Sequence, residues 1–226
     1  MLVKEKKSEK KVKMLTKKIY WDKPYEKEFD AQVIAINGNK VVLDQTCFFV
    51  EGGGQAGDTG MLGEIKVNAT QKIGIDHIHL LAKNPQWKVG DTVHGVIDWD
   101  RRYKIMRLHA ASHIMEYFLF QVLGKHECVK TFVNEKYDKS DYKIESITAE
   151  KIKEVENVSN AFIAKNQEIV FILDEQNPKY RWWTCGEIKT GCGGTHVKNT
   201  QEIGPIVLEV QEKEKGIWSV FTRLKI

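Results

Sequence analysis

The chain has 226 residues, of which 42% are hydrophobic and 29% are charged, and its formal net charge is +4. This length can bury one large core or two small ones, and the mildly basic balance permits a phosphate-bearing partner without requiring one. Because the sequence lacks an apolar run of roughly 20 residues and a signal-peptide core, we expect no membrane partner and a cytoplasmic location. Four cysteines are too few for a disulfide framework, so free thiols or metal ligands are expected.

The first part of the chain is lysine-rich at its start and then β-rich. Residues 1–18 contain eight lysines, which we interpret as a separate solvated segment, with a weak nucleic-acid contact as the alternative. Gln32–Ile36 and Lys40–Val50 flank Asn37-Gly38, a pattern typical of a β-hairpin. Further short apolar runs follow at Glu64–Val67, Ile73–Leu81 and Thr92–Trp99. Such strands indicate a small barrel or sandwich, and we assign a β-barrel domain to residues 19–99.

The second part mixes helices with strands. Arg102–Leu123 contains no Gly or Pro and is apolar on several sides, which predicts a buried helix that ends at Gly124. A second helix is predicted over Ala149–Lys165, where apolar residues recur at helical spacing. Strands are predicted at Ile169–Leu173, Ile206–Gln211 and Ile217–Leu224. We therefore predict an α+β fold class, with an α+β domain over residues 100–226.

Two pairs of residues have the spacing of metal ligands. His109 and His113 are four residues apart on the predicted helix, so both imidazoles face one side and can reach a single ion. In Cys192-Gly193-Gly194-Thr195-His196, the two glycines allow a tight backbone turn that brings the cysteine and the histidine together. Three His and one Cys would complete the tetrahedral shell that zinc prefers. These residues therefore predict one zinc site.

Two alternatives to this ligand set remain at this point. Cys185 lies seven residues before Cys192 and could replace it as a ligand, or form a disulfide with it under oxidation. His77 and His79 lie on the same side of a predicted strand and could share a metal ion. Neither alternative has a complementary pair elsewhere in the chain.

A glycine-rich stretch covers Gly52–Gly60 and contains a literal GxGxxG. The dinucleotide fingerprint requires a helix directly after these glycines, whereas here further glycines continue the irregular run. A phosphate-binding P-loop is excluded because no Gly-Lys-Ser/Thr follows. We therefore expect no nucleotide cofactor. The stretch predicts either backbone exposed for close approach to a ligand, or a bulge or turn in the barrel.

Taken together, these segments resemble the editing domain of alanyl-tRNA synthetase, and more closely its free-standing relatives, the AlaX proteins. The resemblance is carried by the helix segment His109–His113, the motif Cys192–Val197, the glycine-rich stretch Gly52–Gly60, and the shorter matches Asp98–Arg102 and Glu202–Gly204. It extends from about Phe29 to the C-terminus. With the barrel half present at this length, the chain is similar to the medium-sized AlaX proteins. One departure is Thr46-Cys47-Phe48-Phe49-Val50, where the family usually has Thr-x-Phe-Tyr-Pro.

The resemblance implies a hydrolase that acts in trans on mischarged tRNA(Ala). The expected substrate is chiefly Ser-tRNA(Ala), with Gly-tRNA(Ala) as a further candidate, and the expected cofactor is one zinc ion per chain held by Cys192 rather than Cys185. Thr46 matches a family threonine that is thought to discriminate the amino acid. We predict further substrate contacts from the glycine-rich stretch, at Gly53, Gly54, Gln55 and Asp58. Four protein ligands would close the zinc shell, so whether zinc activates water or positions the substrate is open.

The basic residues near the predicted site are candidate tRNA contacts. They are Arg101, Arg102, Lys104, Arg107 and Lys198. The alternative interpretation is an ordinary solvated basic face. Two other functions remain open from the sequence: a non-catalytic, zinc-stapled tRNA-binding module, and a zinc hydrolase that acts on a small ester.

Overall fold

The structure is a computed structural model, and it describes residues 16–74, 76–177 and 180–225. Most of the predicted lysine-rich segment, residues 1–15, lies outside the described residues. Its last two lysines form the short strand β1 (Lys17–Lys18), which pairs in parallel with β4 (Gln45–Thr46). The helix α1 (Ile19–Asp22) follows directly and buries Tyr20.

Six strands of the first hundred residues close into an antiparallel barrel. Its members are β2 (Glu28–Asn37), β3 (Lys40–Leu43), β5 (Gly60–Leu62), β6 (Ile65–Ile73), β7 (Asp76–Leu81) and β8 (Thr92–Ile97). The order around the barrel is β2-β3-β7-β6-β5-β8, and β8 pairs back onto β2. Burial alternates along β2 and β8, because successive side chains of a strand point to opposite faces. Phe29, Val33 and Ile97 therefore point into the barrel core.

The remaining strands form two antiparallel sheets. The first has the order β14-β15-β10-β9, and the second has the order β11-β12-β13. The strands are β9 (Glu127–Val133), β10 (Asp138–Lys143), β11 (Val170–Leu173), β12 (Arg181–Cys185), β13 (Ile188–Gly191), β14 (Ile206–Glu214) and β15 (Ile217–Leu224). Together with the helices, these sheets confirm the α+β class. Strands β9, β10, β12 and β13 were not predicted from the sequence, because they are short or rich in polar residues and carry no clear apolar alternation.

The long helix α2 (Trp99–Leu123) occupies the centre of the second part of the chain. It begins three residues before the predicted start, because the side chain of Asp98 accepts a hydrogen bond from the backbone N–H of Arg101 and caps the helix. Gly124 ends it with a positive φ of 85°. The second helix, α3 (Ala149–Ile163), is capped in the same way by Thr148.

Helix α2 packs against neighbours on several sides, as its apolar composition predicts. Met106 and Ile114 join α3 and the β12–β13 hairpin in one core cluster. Met115 and Leu119 pack against β10 and β15 in another. The proposed boundaries between the segments 1–18, 19–99 and 100–226 stay a prediction. In the described part of the chain, no helix has both the length and the apolar character needed to cross a membrane.

Candidate metal centre

Four side chains converge where α2 meets the loop after β13. They are His109, His113, Cys192 and His196, and their potential ligand atoms all lie within 4.8 Å of one another. Sequence spacing alone brings each pair together, and the packing of the β12–β13 hairpin against α2 brings the two pairs to each other. The residues predicted as ligands therefore form one cluster, and the cluster could hold a metal ion.

The two distances from the Cys192 sulfur fit a tetrahedral metal ion. Cys192 Sγ lies 3.5 Å from His109 Nε2 and 3.7 Å from His196 Nε2. Zinc bonds of about 2.0–2.1 Å to nitrogen and about 2.3 Å to sulfur, at tetrahedral angles, would separate these atoms by about 3.5 Å. Nε2 of His113 is buried and has no hydrogen-bond partner within the described residues, a costly state that a bound cation would relieve.

Gln55 sets the orientation of His109. Its Oε1 accepts a hydrogen bond of 3.0 Å from the backbone N–H of Thr195, so the amide oxygen faces the cluster. The same oxygen lies 2.8 Å from Nδ1 of His109. Since a carbonyl oxygen only accepts, Nδ1 must carry the proton, and Nε2 is left with a lone pair for a metal. The glycine-rich stretch thus supplies the hydrogen-bond partner that fixes the orientation of a histidine in the candidate metal cluster.

The Cys192–His196 loop has no room for a side chain at Gly194. A Cβ there would overlap the His109 ring and lie 2.6 Å from Oε1 of Gln55. At Gly193, a Cβ would meet no atom within 4 Å. The backbone N–H of Gly194 also approaches Cys192 Sγ at 3.4 Å. The two glycines are therefore not equivalent, and only Gly194 is required by close packing against the cluster.

Burial keeps the cluster uncharged in the absence of a cation. Burial lowers the pKa of His113 to about 4, and burial together with the neighbouring imidazoles lowers the pKa of His109 and His196 well below the usual value. Burial also raises the pKa of the Cys192 thiol to about 11, against the opposing effects of the Gly194 N–H and Arg181. Neutral imidazoles are the form that binds a metal ion, whereas the thiol must lose its proton.

The structure separates the alternative ligands from this cluster. Cys185 is paired with Ile188 at the turn end of the β12–β13 hairpin. At the other end, the backbone N–H of Cys192 donates to the carbonyl of Arg181, which lies roughly 13 Å from Cys185 along β12. Cys185 is buried in the core, where burial raises its pKa to about 11. His77 and His79 lie on β7, and neither belongs to the metal-competent group found among the described residues.

Asp58 and Arg102 form a buried ion pair, which corrects two predictions. Both Asp58 Oδ1, at 2.9 Å, and Asp58 Oδ2 accept from the Arg102 guanidinium, and the backbone N–H of Phe49 donates to Oδ2 at 2.6 Å. The Arg102 side chain is 0% exposed and that of Asp58 is 1% exposed. Arg102 therefore cannot reach a tRNA phosphate, and Asp58 is not presented to a substrate. The pair instead ties the glycine-rich stretch to the start of α2.

Thr46 lies in the barrel interior and is 0% exposed. Its hydroxyl lies 2.9 Å from His79 Nε2 and accepts from the backbone N–H of Phe48 at 3.0 Å. Nδ1 of His79 donates to the carbonyl of Val41 at 3.3 Å, so Nε2 is the acceptor and the Thr46 hydroxyl donates to it. The buried Thr46 hydroxyl thus donates to His79 and accepts from Phe48, which argues against the direct substrate contact that the resemblance implies.

The other residues predicted to contact tRNA or substrate differ in whether their side chains are free to do so. Arg101 is committed to Glu135 and to the carbonyl of Gly57, and Arg107 is committed to the carbonyl of Ile203. Lys104 and Lys198 are exposed.

Gly53 and Gly54 both have positive φ, and a Cβ at Gly54 would press on Thr131, whereas Gly53 faces open space. Gln55 is buried and holds His109 and Thr195, a positioning role rather than a substrate contact.

A cleft of about 210 Å³ opens beside the Cys192–His196 loop, and the sequence did not indicate it. It is bounded by α1, the first glycines of the glycine-rich stretch and the Cys192–His196 loop. Its lining residues are Lys18, Tyr20, Trp21, Phe49, Val50, Glu51, Gly52, Gly53, Lys72, His77, Gly193 and Gly194. The segments that form it are far apart in sequence, so no local pattern could have indicated it. A larger cavity of about 660 Å³ between α1 and β8 has balanced charges and does not contact this loop.

Comparison with known families places these features in context. Residues 2–101 match the family model for tRNA synthetases class II (A), and residues 183–225 match that for the threonyl and alanyl tRNA synthetase second additional domain. The first match contains the glycine-rich stretch, and the second contains Cys192 and His196. The chain is an AlaX-like relative of the alanyl-tRNA synthetases.

This AlaX-like chain aligns with alanine–tRNA ligases over most of its length. It is 36% identical over 231 residues to the enzyme of Sulfurisphaera tokodaii, and 36% identical over 230 residues to that of Thermococcus kodakarensis. The Ignicoccus hospitalis enzyme is 33% identical over 230 residues. Each alignment covers 89% of the chain and 25% of the ligase. The chain therefore spans about a quarter of the length of the curated relatives that it matches.

Proposed function

We propose that this AlaX-like chain hydrolyses the aminoacyl ester of mischarged tRNA(Ala), chiefly Ser-tRNA(Ala) and also Gly-tRNA(Ala), in the cytoplasm. One observation carries the proposal: four side chains that could hold a metal ion converge at a loop whose Gly193 and Gly194 line an open cleft. The similarity to alanine–tRNA ligases supports tRNA(Ala) as the partner. In the reaction, water adds to the ester carbonyl carbon, the bond to the ribose oxygen breaks, and that oxygen takes a proton.

We propose zinc as the metal, with one ion per chain. Three imidazoles and a thiolate form a nitrogen and sulfur donor set with four members, which suits zinc better than the oxygen-seeking magnesium or calcium. When bound, zinc can polarise a carbonyl or lower the pKa of a coordinated water.

The residues around the cluster have separate roles in this proposal. Gln55 holds the His109 ring in its ligating tautomer and orientation. Gly194 lets the backbone pass directly beside that ring, and Gly193 borders the cleft from which the ester approaches. The buried surroundings, including Trp183 and Phe171 packed against His113 and His196, exclude bulk water behind the cluster. We assign no general base among the described side chains.

A second candidate function follows from the number of ligands. Four protein ligands leave no open position on a tetrahedral metal, and closed shells are typical of structural zinc. The chain would then be a non-catalytic, zinc-stapled module that binds tRNA. If it is instead an enzyme, the four residues would hold a metal that anchors the loop and helps to orient the substrate, and water would reach the ester without binding the metal.

One substrate panel separates these functions. Purified protein is incubated with Ser-tRNA(Ala), Gly-tRNA(Ala), Ala-tRNA(Ala) and the small ester serine ethyl ester, and loss of the ester is followed over time. We expect rapid loss of the seryl and glycyl esters of tRNA(Ala), slow loss of the alanyl ester, and little hydrolysis of the small ester. The variant His113→Ala should lose this activity. Binding of tRNA without deacylation would support the stapled module, and hydrolysis of the small ester alone would support a general esterase.

A further inference from the structure

The cleft beside the metal cluster concentrates positive charge. Lys18 and Lys72 line it, and Nζ of Lys18 lies 3.6 Å from the centre of a Trp21 ring. The guanidinium of Arg181 lies 5.3 Å from the centre of a Trp21 ring and 4.0 Å from that of Phe171. Two cations therefore lie close to one indole at the edge of the cleft, and a third, Lys72, lines the same cleft.

These cations form no direct ion pair with an acidic group of the described residues, although the charge of Asp22 acts on Arg181. None of the ion pairs between described residues includes Lys18, Lys72 or Arg181. Arg181 is 7% exposed, and its Nη1 has no hydrogen-bond partner within the described part of the chain. Burial and then the charges of Lys72 and Arg181 lower the pKa of Lys18. Glu51 is the one acidic residue in the lining. Like charges held together in this way favour the binding of an anion.

Trp21 contacts two of these cations and also the Cys192–His196 loop. Its indole Nε1–H donates a hydrogen bond of 2.9 Å to the carbonyl of Gly193, the residue after Cys192. Its own carbonyl accepts from Arg181 at 3.3 Å. An anion held by Lys18 and Lys72 would therefore occupy a fixed position relative to the four-residue cluster.

We propose that Lys18 and Lys72, supported by the charge of Arg181, bind the phosphodiester that precedes the acylated terminal nucleoside of RNA. This inference rests on the proposed function and identifies where the RNA backbone enters. The cleft volume of about 210 Å³ is below the ≈ 300–1,000 Å³ usual for small-molecule pockets, so it suits one end of a larger molecule. At Gly53 and Gly193, a Cβ would meet nothing within 4 Å, which leaves open space along the cleft.

The binding test uses a matched pair of double variants. The variant Lys18→Ala/Lys72→Ala removes the two lining cations, and Lys17→Ala/Lys66→Ala removes two exposed lysines from the adjacent position on β1 and from the same strand β6. The probe is a fluorescent single-stranded RNA that ends in CCA, with anisotropy measured over a series of KCl concentrations. We expect the first variant to bind about tenfold more weakly, with a salt slope reduced by about 0.7–1.4, as the loss of one or two single-strand phosphate contacts requires. The control should keep the wild-type slope.

Equal affinity and slope in wild type and Lys18→Ala/Lys72→Ala would overturn the proposal, as would an equal loss in the control. The measurement needs no ester hydrolysis, so it remains informative if the proposed activity fails. If wild type does deacylate Ser-tRNA(Ala), the comparison substrate is 3′-seryladenosine, which has no phosphate. The first variant should then lose kcat/KM on the tRNA and retain wild-type kcat/KM on the nucleoside ester. An equal loss on both substrates would contradict a phosphate contact.

Discussion

The amide oxygen of Gln55 lies 2.8 Å from Nδ1 of His109, across 54 positions of sequence. The same oxygen accepts from the N–H of Thr195, and the Gln55 amide nitrogen donates to the Thr195 hydroxyl at 2.9 Å. One buried side chain thus contacts both pairs of predicted ligands, His109 on the helix and the Cys192–His196 loop. The glycine-rich stretch is part of the candidate metal centre through this residue.

Replacing Gln55 with alanine should weaken zinc binding about 10–100-fold, as is usual for the partner that orients a ligating histidine. Without the amide oxygen, Nδ1 of His109 loses its acceptor and the ring loses its fixed tautomer. Zinc affinity is measured by competition with a chromogenic chelator. Gln71→Ala, on the exposed side of β6, serves as the control. Unchanged affinity in Gln55→Ala would contradict this positioning role.

The two glycines of the metal loop should respond differently to alanine. Gly194→Ala places a Cβ against the His109 ring, so the loop must move. Zinc affinity should then fall by more than about tenfold, which is the size of effect seen when a residue that supports a metal ligand is lost. Gly193→Ala meets no atom within 4 Å and should bind zinc as wild type does. The same chelator competition measures both. Similar affinities in the two variants would show that the close approach of Gly194 to His109 does not limit metal binding.

Removing the Thr46 hydroxyl should cost stability. In Thr46→Val, His79 and the N–H of Phe48 each lose a buried partner, with an expected loss of about 1–3 kcal/mol in the free energy of unfolding. Urea denaturation measures the loss, and Thr184→Val, on a more exposed hydroxyl, is the control. We expect the ratio of Ser-tRNA(Ala) to Ala-tRNA(Ala) deacylation to stay the same. A lower ratio with unchanged stability would instead support the direct role implied by the family resemblance.

Asp138 should make stability depend on pH. Burial raises its pKa to about 7, against hydrogen bonds from Ser112 and Ser140, while Glu116 adds to the rise. Because the native pKa exceeds that of an unfolded carboxyl, the folded state holds the proton more tightly. The contribution of Asp138 to the stability of the folded state is therefore complete below about pH 4 and is lost as pH rises to about 7. Asp138→Asn should therefore gain stability relative to wild type between about pH 4.5 and pH 8, by up to about 4 kcal/mol.

The difference in the free energy of unfolding between Asp138→Asn and wild type is measured by urea denaturation at about pH 4.5 and about pH 8, with the same metal content in each sample. Asp141→Asn is a control of opposite sign. Burial raises the pKa of Asp141, but hydrogen bonds from Ser219 and Lys213 lower it overall. Because the stabilisation by a carboxylate of lowered pKa is already complete above about pH 4, that variant should be less stable than wild type by nearly the same amount at both pH values. A pH-independent difference between Asp138→Asn and wild type would show that Asp138 does not titrate in this range.

The sequence predicted the four-residue cluster because local spacing brings each pair together, and the family resemblance favoured Cys192 over Cys185. Four residues on a helix place His109 and His113 on one face, and two glycines allow Cys192 and His196 to converge. Local rules also located both helices, because capping residues and apolar periodicity act within a few residues of one another.

The remaining features depend on contacts between distant segments. Arginine usually lies at the protein surface, yet the Arg102 side chain is fully buried. It is buried because it pairs with Asp58, which lies 44 residues earlier in the sequence. Arg181 was missed because nothing near it in sequence indicates that Trp21 and Phe171 lie beside its guanidinium. Burial and partners of polar residues are set by tertiary packing, which periodicity does not encode.

The most direct test of the proposed metal-dependent activity is the rate of Ser-tRNA(Ala) deacylation before zinc removal, after removal, and after zinc is restored. Zinc is removed with a chelator, metal content is determined by mass spectrometry, and circular dichroism monitors the fold at each stage. We expect activity to disappear with the metal and to return on addition of about one zinc ion per chain. Full activity of the zinc-free, folded protein would contradict the proposed role of the His109–His113–Cys192–His196 cluster.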